Sequence, residues 1–285
     1  MGARYSAFRL CAPFTDPALG TVIQTPSAFT ASVGSSLQLR KGLRLVTNIA
    51  QGFRAPNLDD TAKLGRGKGS NVFDVPNPHL QPEKTLSFDA GFKISHDRVR
   101  ANVMAYYTRI TALLLRRPAT QNDLPYFVEG TDTLSIFRKE NAGRAYTTGV
   151  EMDVEFLLAS HWECFGNFSF TYGENETDDE PISGTPPAHG MVGLRWRARE
   201  FWSELHLRFA AAQERLSEED QRDLRIPEGG TPGWTTITLR MAGKLTNNLR
   251  LKASLQNLLN RNYREHGSGF NAAGRNLIVG GDWSF

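Results

Sequence analysis

The side chains that could do chemistry are dispersed along the chain. Six histidines, His79, His96, His161, His189, His206 and His266, include no HExxH or comparable ligand pair, and His96 and His161 sit in short turn-like segments. Cys11 and Cys164 lie far apart and form no CxxC or metal-spaced cluster. The loop Gly65-Arg66-Gly67-Lys68-Gly69-Ser70 is superficially like a phosphate cradle. However, Lys68 is followed by Gly69 rather than Ser or Thr, and no strand–loop–helix frame surrounds it. The acidic run Glu174, Glu176, Asp178, Asp179 and Glu180 lacks the spacing of a calcium loop and reads as a hydrated loop tip. No nucleophile–base–acid set assembles. The residues therefore predict no enzyme, no metal centre and no cofactor.

Other polar residues are ordered by position. Glu151, Asp153, Glu155, Arg195, Arg197, Glu204, His206, Arg208, Arg240, Arg250 and Lys252 all fall opposite apolar positions in alternating segments. Val150, Met152, Val154 and Phe156 alternate with Glu151, Asp153 and Glu155; on a helix, at 100° per residue, the acids would spread across the apolar side. Leu86, Phe88, Ala90, Phe92 and Ile94 form a similar set, and so do Leu277, Val279, Gly281, Trp283 and Phe285. These are strands. The same test predicts about twelve of them, near 3–12, 27–39, 43–53, 85–95, 98–110, 143–158, 161–173, 187–197, 200–211, 233–243, 248–257 and 275–285.

These strands are long. Ordinary sheets favour roughly 5–6 residues, whereas a tilted strand crossing a bilayer needs roughly 9–11. The longest apolar runs, Ala112–Leu115 and Phe156–Ala159, are far too short for a spanning helix. The mean hydropathy of −0.40 across 285 residues looks like that of a soluble protein. A barrel that hides its lipid face in alternate residues gives the same value. The net charge of +3 carries no basic stripe, so no nucleic-acid partner is implied.

The connections alternate between tight turns and long polar segments, the latter near 13–26, 54–84, 111–142, 174–186, 212–232 and 258–274. Outer-membrane barrels have that rhythm, with long loops outside and short turns in the periplasm. Phe156, Trp162, Trp196 and Phe201 flank short turns, and Tyr106, Tyr107, Phe170, Tyr172 and Phe209 lie toward the opposite ends, as two interfacial girdles would. A soluble β-sandwich also buries alternating faces, but strand length, loop sorting and girdles count against it. The charges opposite the apolar positions then face a wet or protein-filled lumen, paired across strands or touching a passing solute.

Particular segments carry a resemblance. Gly52-Phe53-Arg54-Ala55-Pro56-Asn57-Leu58 resembles the FRAP-type box of TonB-dependent outer-membrane receptors, and Asn77-Pro78-His79-Leu80-Gln81-Pro82-Glu83-Lys84 resembles their NPxLxPE box. Asn141-Ala142-Gly143 followed by Gly149-Val150-Glu151 is similar to the family's NAG…GVE strand. Pro186-Pro187-Ala188-His189, the segment from Leu255 to His266, Gly274-Arg275-Asn276 and the terminal Trp283-Ser284-Phe285 follow in family order. The resemblance implies an all-β fold: a transmembrane antiparallel up-and-down β-barrel. Residues 1–285 would be its C-terminal portion, about half of a 22-stranded barrel, with the N-terminal plug and first strands absent.

The resemblance further implies energised uptake of a scarce solute, a ferric siderophore or other metal chelate first, with haem or cobalamin as alternatives. It implies contact with outer-membrane lipid and lipopolysaccharide, with the TonB complex through a plug, and with the barrel-assembly machinery, which would read Trp283 and Phe285. A passive pore and an adhesin without transport are the rival readings. Ligand-facing candidates are Arg54, Asn57, Arg66, Lys68, His79, Tyr263, Arg264, His266 and Arg275, because cations suit anionic chelates. The boxes themselves read as mostly structural, their prolines fixing backbone where strand yields to loop. The long loops would be extracellular and Phe285 periplasmic.

Overall fold

The structure is a computed structural model that describes residues 1–14, 20–66 and 71–285, with nothing described of the Ala142 side chain. Twelve strands form one antiparallel meander: β1 (Gly2–Ala7), β2 (Ser27–Arg40), β3 (Leu43–Arg54), β4 (Glu83–Ser95), β5 (Val99–Pro118), β6 (Asp132–Ala159), β7 (Trp162–Asn175), β8 (His189–Arg197), β9 (Phe201–Ala210), β10 (Trp234–Lys244), β11 (Leu249–Gln256) and β12 (Asn276–Trp283). Each pairs with its sequence neighbours without a crossover. The sheet is not closed: β1 and β12 are its two edges. All five tight turns lie on one rim and all the longer connections on the other.

Register decides what each face does. Val99, Phe156, Cys164, Leu194, Leu205, Leu239, Leu255 and Leu277 stand in one cross-strand row from β5 to β12. Leu205 is 49% exposed and Leu277 60%. A soluble sheet would cover such a row; here the large apolar side chains of the wall point outward, as a lipid-facing surface requires. The next row, on the opposite face, is Glu163, Arg195, Glu204 and Arg240. There Arg195 reaches Glu163 at 2.8 Å and Glu204 at 2.7 Å, and His206 lies 3.0 Å from Glu204. The charges expected opposite the apolar positions thus pair across strands, so that each buried carboxylate meets a cation or a ring nitrogen.

Gly42 closes the β2–β3 turn at φ +78°, and a Cβ there would stand 2.6 Å from the Ser95 carbonyl oxygen. Two segments differ from the sequence expectation. The first strand is interrupted after Ala7: Leu10–Pro13 pairs with Thr21–Gln24 in the same register as Gly2–Ala7 with Ser27–Ser32, and between them the Phe8 amide donates to the Pro26 carbonyl while Pro26 has no amide to return. The stretch 111–142 is largely strand rather than loop: β5 and β6 continue past a bulge at Asn141–Gly143, where Ala112 adopts φ +57°. Asn141 donates to the Ala112 and Gln81 carbonyls and accepts from the Gln81 amide, so one side chain fastens the bulge. Beyond it, Val72–Val75 adds as a parallel strand to Ser135–Arg138, and Tyr126–Glu129 folds back on Asp132–Ser135. Phe73, Leu134 and Ile136 form a small dry core there, with Phe127 stacked on Phe73 at 4.1 Å.

Candidate functional site

The two boxes meet at the loop end of β3. Arg54 donates to Glu83 at 2.5 Å and to Asp60 at 2.6 Å, and Lys139 reaches Asp60 at 2.7 Å. Asp60 lies in a one-turn helix, α1 (Leu58–Thr61), whose N-cap is Asn57: the Asp60 amide donates to Asn57 Oδ1 and Asp60 Oδ2 accepts from the Asn57 amide. Burial alone would raise the Asp60 carboxyl. The Asn57 amide, Lys139 and Arg54 outweigh it and hold the group below the usual carboxylate range. Glu83 also accepts from the Leu114 amide, while Asp74 takes Arg116 and Lys63. These contacts tie the described parts of the 55–82 connection to the β5–β6 extension. Arg54 and Asn57 are consumed in holding it.

The other candidates are spread over the same rim. Arg66 pairs with Asp132 at 2.8 Å on the exposed hairpin, and His79 is exposed. Lys68 lies outside the described residues. Arg275 donates to the Leu258 carbonyl and its amide to Asn260, closing the β11–β12 connection. Arg264 donates to Asn271 and to the Arg225 carbonyl. Tyr263 packs on Trp234 with ring centroids 4.3 Å apart, and His266 Nδ1 lies 2.9 Å from Thr231 Oγ1. Arg54 ends β3, whereas Tyr263 lies in the connection that follows β11, eight strands further along the sheet. Among the described residues, the candidates are therefore spread along the rim.

A hollow of about 730 Å³ forms on the charged face of β6–β10. Register builds it. Asp153, Asn167, Met191 and Arg208 stand in one row on the charged face, and Glu151, Ser169, His189, Ala210 and Trp234 in another. Glu265 and His266 approach from the β11–β12 connection. Asp153 is held by Asn102 and Glu265 by Arg208, whose guanidinium also lies 5.4 Å from the Trp234 ring. His266 Nε2 is buried without a hydrogen-bond partner. Sequence reasoning placed Glu151, Asp153 and Arg208 on this face and singled out His266. It missed Trp234, Asn167 and Ser169, whose signal was their in-register position opposite those charges. Among the described residues, no group of three or more histidine, cysteine or carboxylate side chains is close enough to hold a metal ion.

The family description "TonB dependent receptor-like, beta-barrel" matches residues 1–258. The hemoglobin and hemoglobin-haptoglobin-binding protein of Haemophilus ducreyi is 23% identical over 85% of this chain and 30% of its own length. Among solved structures, the copper transporter OprC aligns with a TM-score of 0.75 at 19% identity, covering 92% of this chain and 40% of that one. The ferric enterobactin receptor of Pseudomonas aeruginosa aligns with a TM-score of 0.72 at 18% identity, covering 91% and 40%. The chain thus spans about a third of the length of the curated relative and two fifths of the solved ones.

Proposed function

Because the chain belongs to the TonB-dependent receptor β-barrel family, we propose that it forms the C-terminal portion of an outer-membrane receptor barrel. That receptor takes up a scarce metal chelate, a ferric siderophore first, by energised transport. The outward apolar rows lie in lipid, the long connections face the exterior, and the C-terminal edge faces the periplasm, where Trp283 and Phe285 serve barrel assembly. The plug that couples such a barrel to TonB belongs to the same proposal.

The hollow carries the substrate reading. Its volume falls within the roughly 300–1,000 Å³ of small-molecule sites, and its wall offers a ring to stack, Trp234, beside the Arg208 guanidinium and the imidazoles of His189 and His266. A ferric chelate rich in oxygen donors suits that mixture. Binding of such a chelate should quench Trp234 fluorescence, and Arg208→Ala should weaken it about ten-fold, the worth of one charge-assisted hydrogen bond. Full quenching in a Trp234→Phe variant would place the ligand elsewhere.

Haem is a second reading, favoured by His266: the tautomer that donates from Nδ1 to Thr231 leaves the Nε2 lone pair free. It predicts a shifted haem absorption band that disappears in His266→Ala.

A further inference from the structure

Acids and cations are distributed unevenly along the charged face. Nearer the short turns, Glu155 lies 3.9 Å from Arg100, and Glu163 and Glu204 share Arg195 at 2.8 and 2.7 Å. In the hollow the balance reverses. Glu151, Asp153 and Glu265 line it against a single guanidinium, Arg208, among the described residues. Arg208 is already engaged, by Glu265 at 3.1 Å and by the Trp234 ring. Glu151 and Asp153 are exposed and make no ion pair among the described residues. Asp153 accepts from the neutral amide of Asn102 alone.

Glu151 and Asp153 stand on one face of β6, roughly 7 Å apart along the strand. Their row partners on β7 are Ser169 and Asn167. A hydroxyl and an amide carbonyl thus flank two carboxylates, and all four groups can accept hydrogen bonds. His189 adds to the same character. Its Nδ1 donates to the Pro187 carbonyl, so the neutral ring keeps a lone pair on Nε2. The next cations in the Asp153 row are Lys93 on β4 and Arg44 on β3. Lys93 is two strands away, roughly 10 Å at the backbone, beyond the screening length of about 8 Å at physiological salt. The β6–β7 wall of the hollow is therefore rich in acceptors and net negative.

Resting on the reading of this hollow as the chelate site, we propose that it selects by charge, taking a ferric chelate with a protonated primary amine and disfavouring polyanionic chelates. The ammonium seats between Glu151 and Asp153, where its N–H donors meet the carboxylates and Ser169 or Asn167. The chelate oxygens face Arg208, and the apolar part of the ligand lies on Trp234. A linear tris-hydroxamate with an amine terminus fits. Its hydroxamates neutralise Fe(III), which leaves the ammonium as the net charge. A tris-catecholate keeps negative charge on the chelate and meets unpaired carboxylates. The arrangement inverts the expectation from sequence, in which loop cations meet an anionic chelate.

The test reads Trp234 quenching in the membrane-embedded protein, taken as the difference from Trp234→Phe, with three Fe(III) chelates. They are the linear tris-hydroxamate with a free amine terminus, the same chelate acetylated at that amine, and a tris-catecholate. Acetylation removes the charge and leaves the metal centre unchanged. The amine form should bind about ten-fold more tightly than either other chelate, and added salt should narrow the difference. The double variant Glu151→Gln, Asp153→Asn should lower the amine form to the affinity of the acetylated one, whose binding also shows that the variant is folded. Equal affinity of the amine and acetylated forms, tighter binding of the tris-catecholate, or a preference that survives the double variant overturns charge selection. In those cases quenching still marks the hollow as a chelate site. Quenching by none of the three chelates refutes both the hollow and its selectivity.

Discussion

Substituting Asp60 by Asn should release the 55–82 connection from the wall while leaving the barrel intact. Asp60 is 4% exposed and takes Arg54 at 2.6 Å, Lys139 at 2.7 Å and the Asn57 amide at 3.0 Å. Loss of a helix cap costs about 1 kcal/mol, and each hydrogen bond to a charged group about 1.5–3 kcal/mol. The Arg54 share is discounted, because that side chain is 46% exposed and keeps Glu83. The sum is about 3 kcal/mol of local stability, or about 100-fold faster amide exchange over α1 and Val72–Val75. Exchange mass spectrometry on the membrane-embedded protein reads this directly. Asp59→Asn is the control: Asp59 is exposed and only 3.9 Å from Lys63, so its effect should stay within about 0.5 kcal/mol. If Asp60→Asn leaves exchange at the control level, the reasoning fails.

Since folding lowers the Asp60 pKa, its contribution is present above the unfolded value near ~3.9 and is lost as pH falls through the lower folded value. Protection of α1 should therefore be flat from about pH 7 to 5 and decline below about 4. Leu205→Arg, on the outward row, should cost about 2–4 kcal/mol in refolding into lipid, and no loss in a titration would contradict the assigned lipid face. Glu204→Ala leaves Arg195 with Glu163 and strands the buried His206, so denaturation should register about 1–3 kcal/mol. Removing Phe285 should slow membrane insertion several-fold in pulse-chase assays; unchanged kinetics would show that the terminal aromatic is not read.

Much of the wall was legible because alternation is a local signal. Val150 to Phe156 declares both faces within seven residues, and the tight turns bracket nearly every strand. The β5–β6 extension escaped because its apolar pairs, Leu134 with Ile136 and Phe73 with Phe127, are set in polar sequence and close only when distant segments meet. The bulge at Asn141 likewise depends on Gln81 and Ala112, 60 and 29 residues away. Arg54 read as a cation free for ligand because Glu83 and Asp60 can be recognised as its partners only in three dimensions. The hollow needed register: a shift of one residue in β8 would carry the His189 and Met191 side chains to the opposite face of the sheet.

Uptake of a radiolabelled ferric chelate by cells carrying or lacking the gene for these residues tests the central claim most directly, with and without a protonophore. Energised transport predicts uptake that requires the gene and collapses when the proton gradient is dissipated. Gene-dependent uptake that continues at the same rate under the protonophore would contradict the account and identify a passive pore.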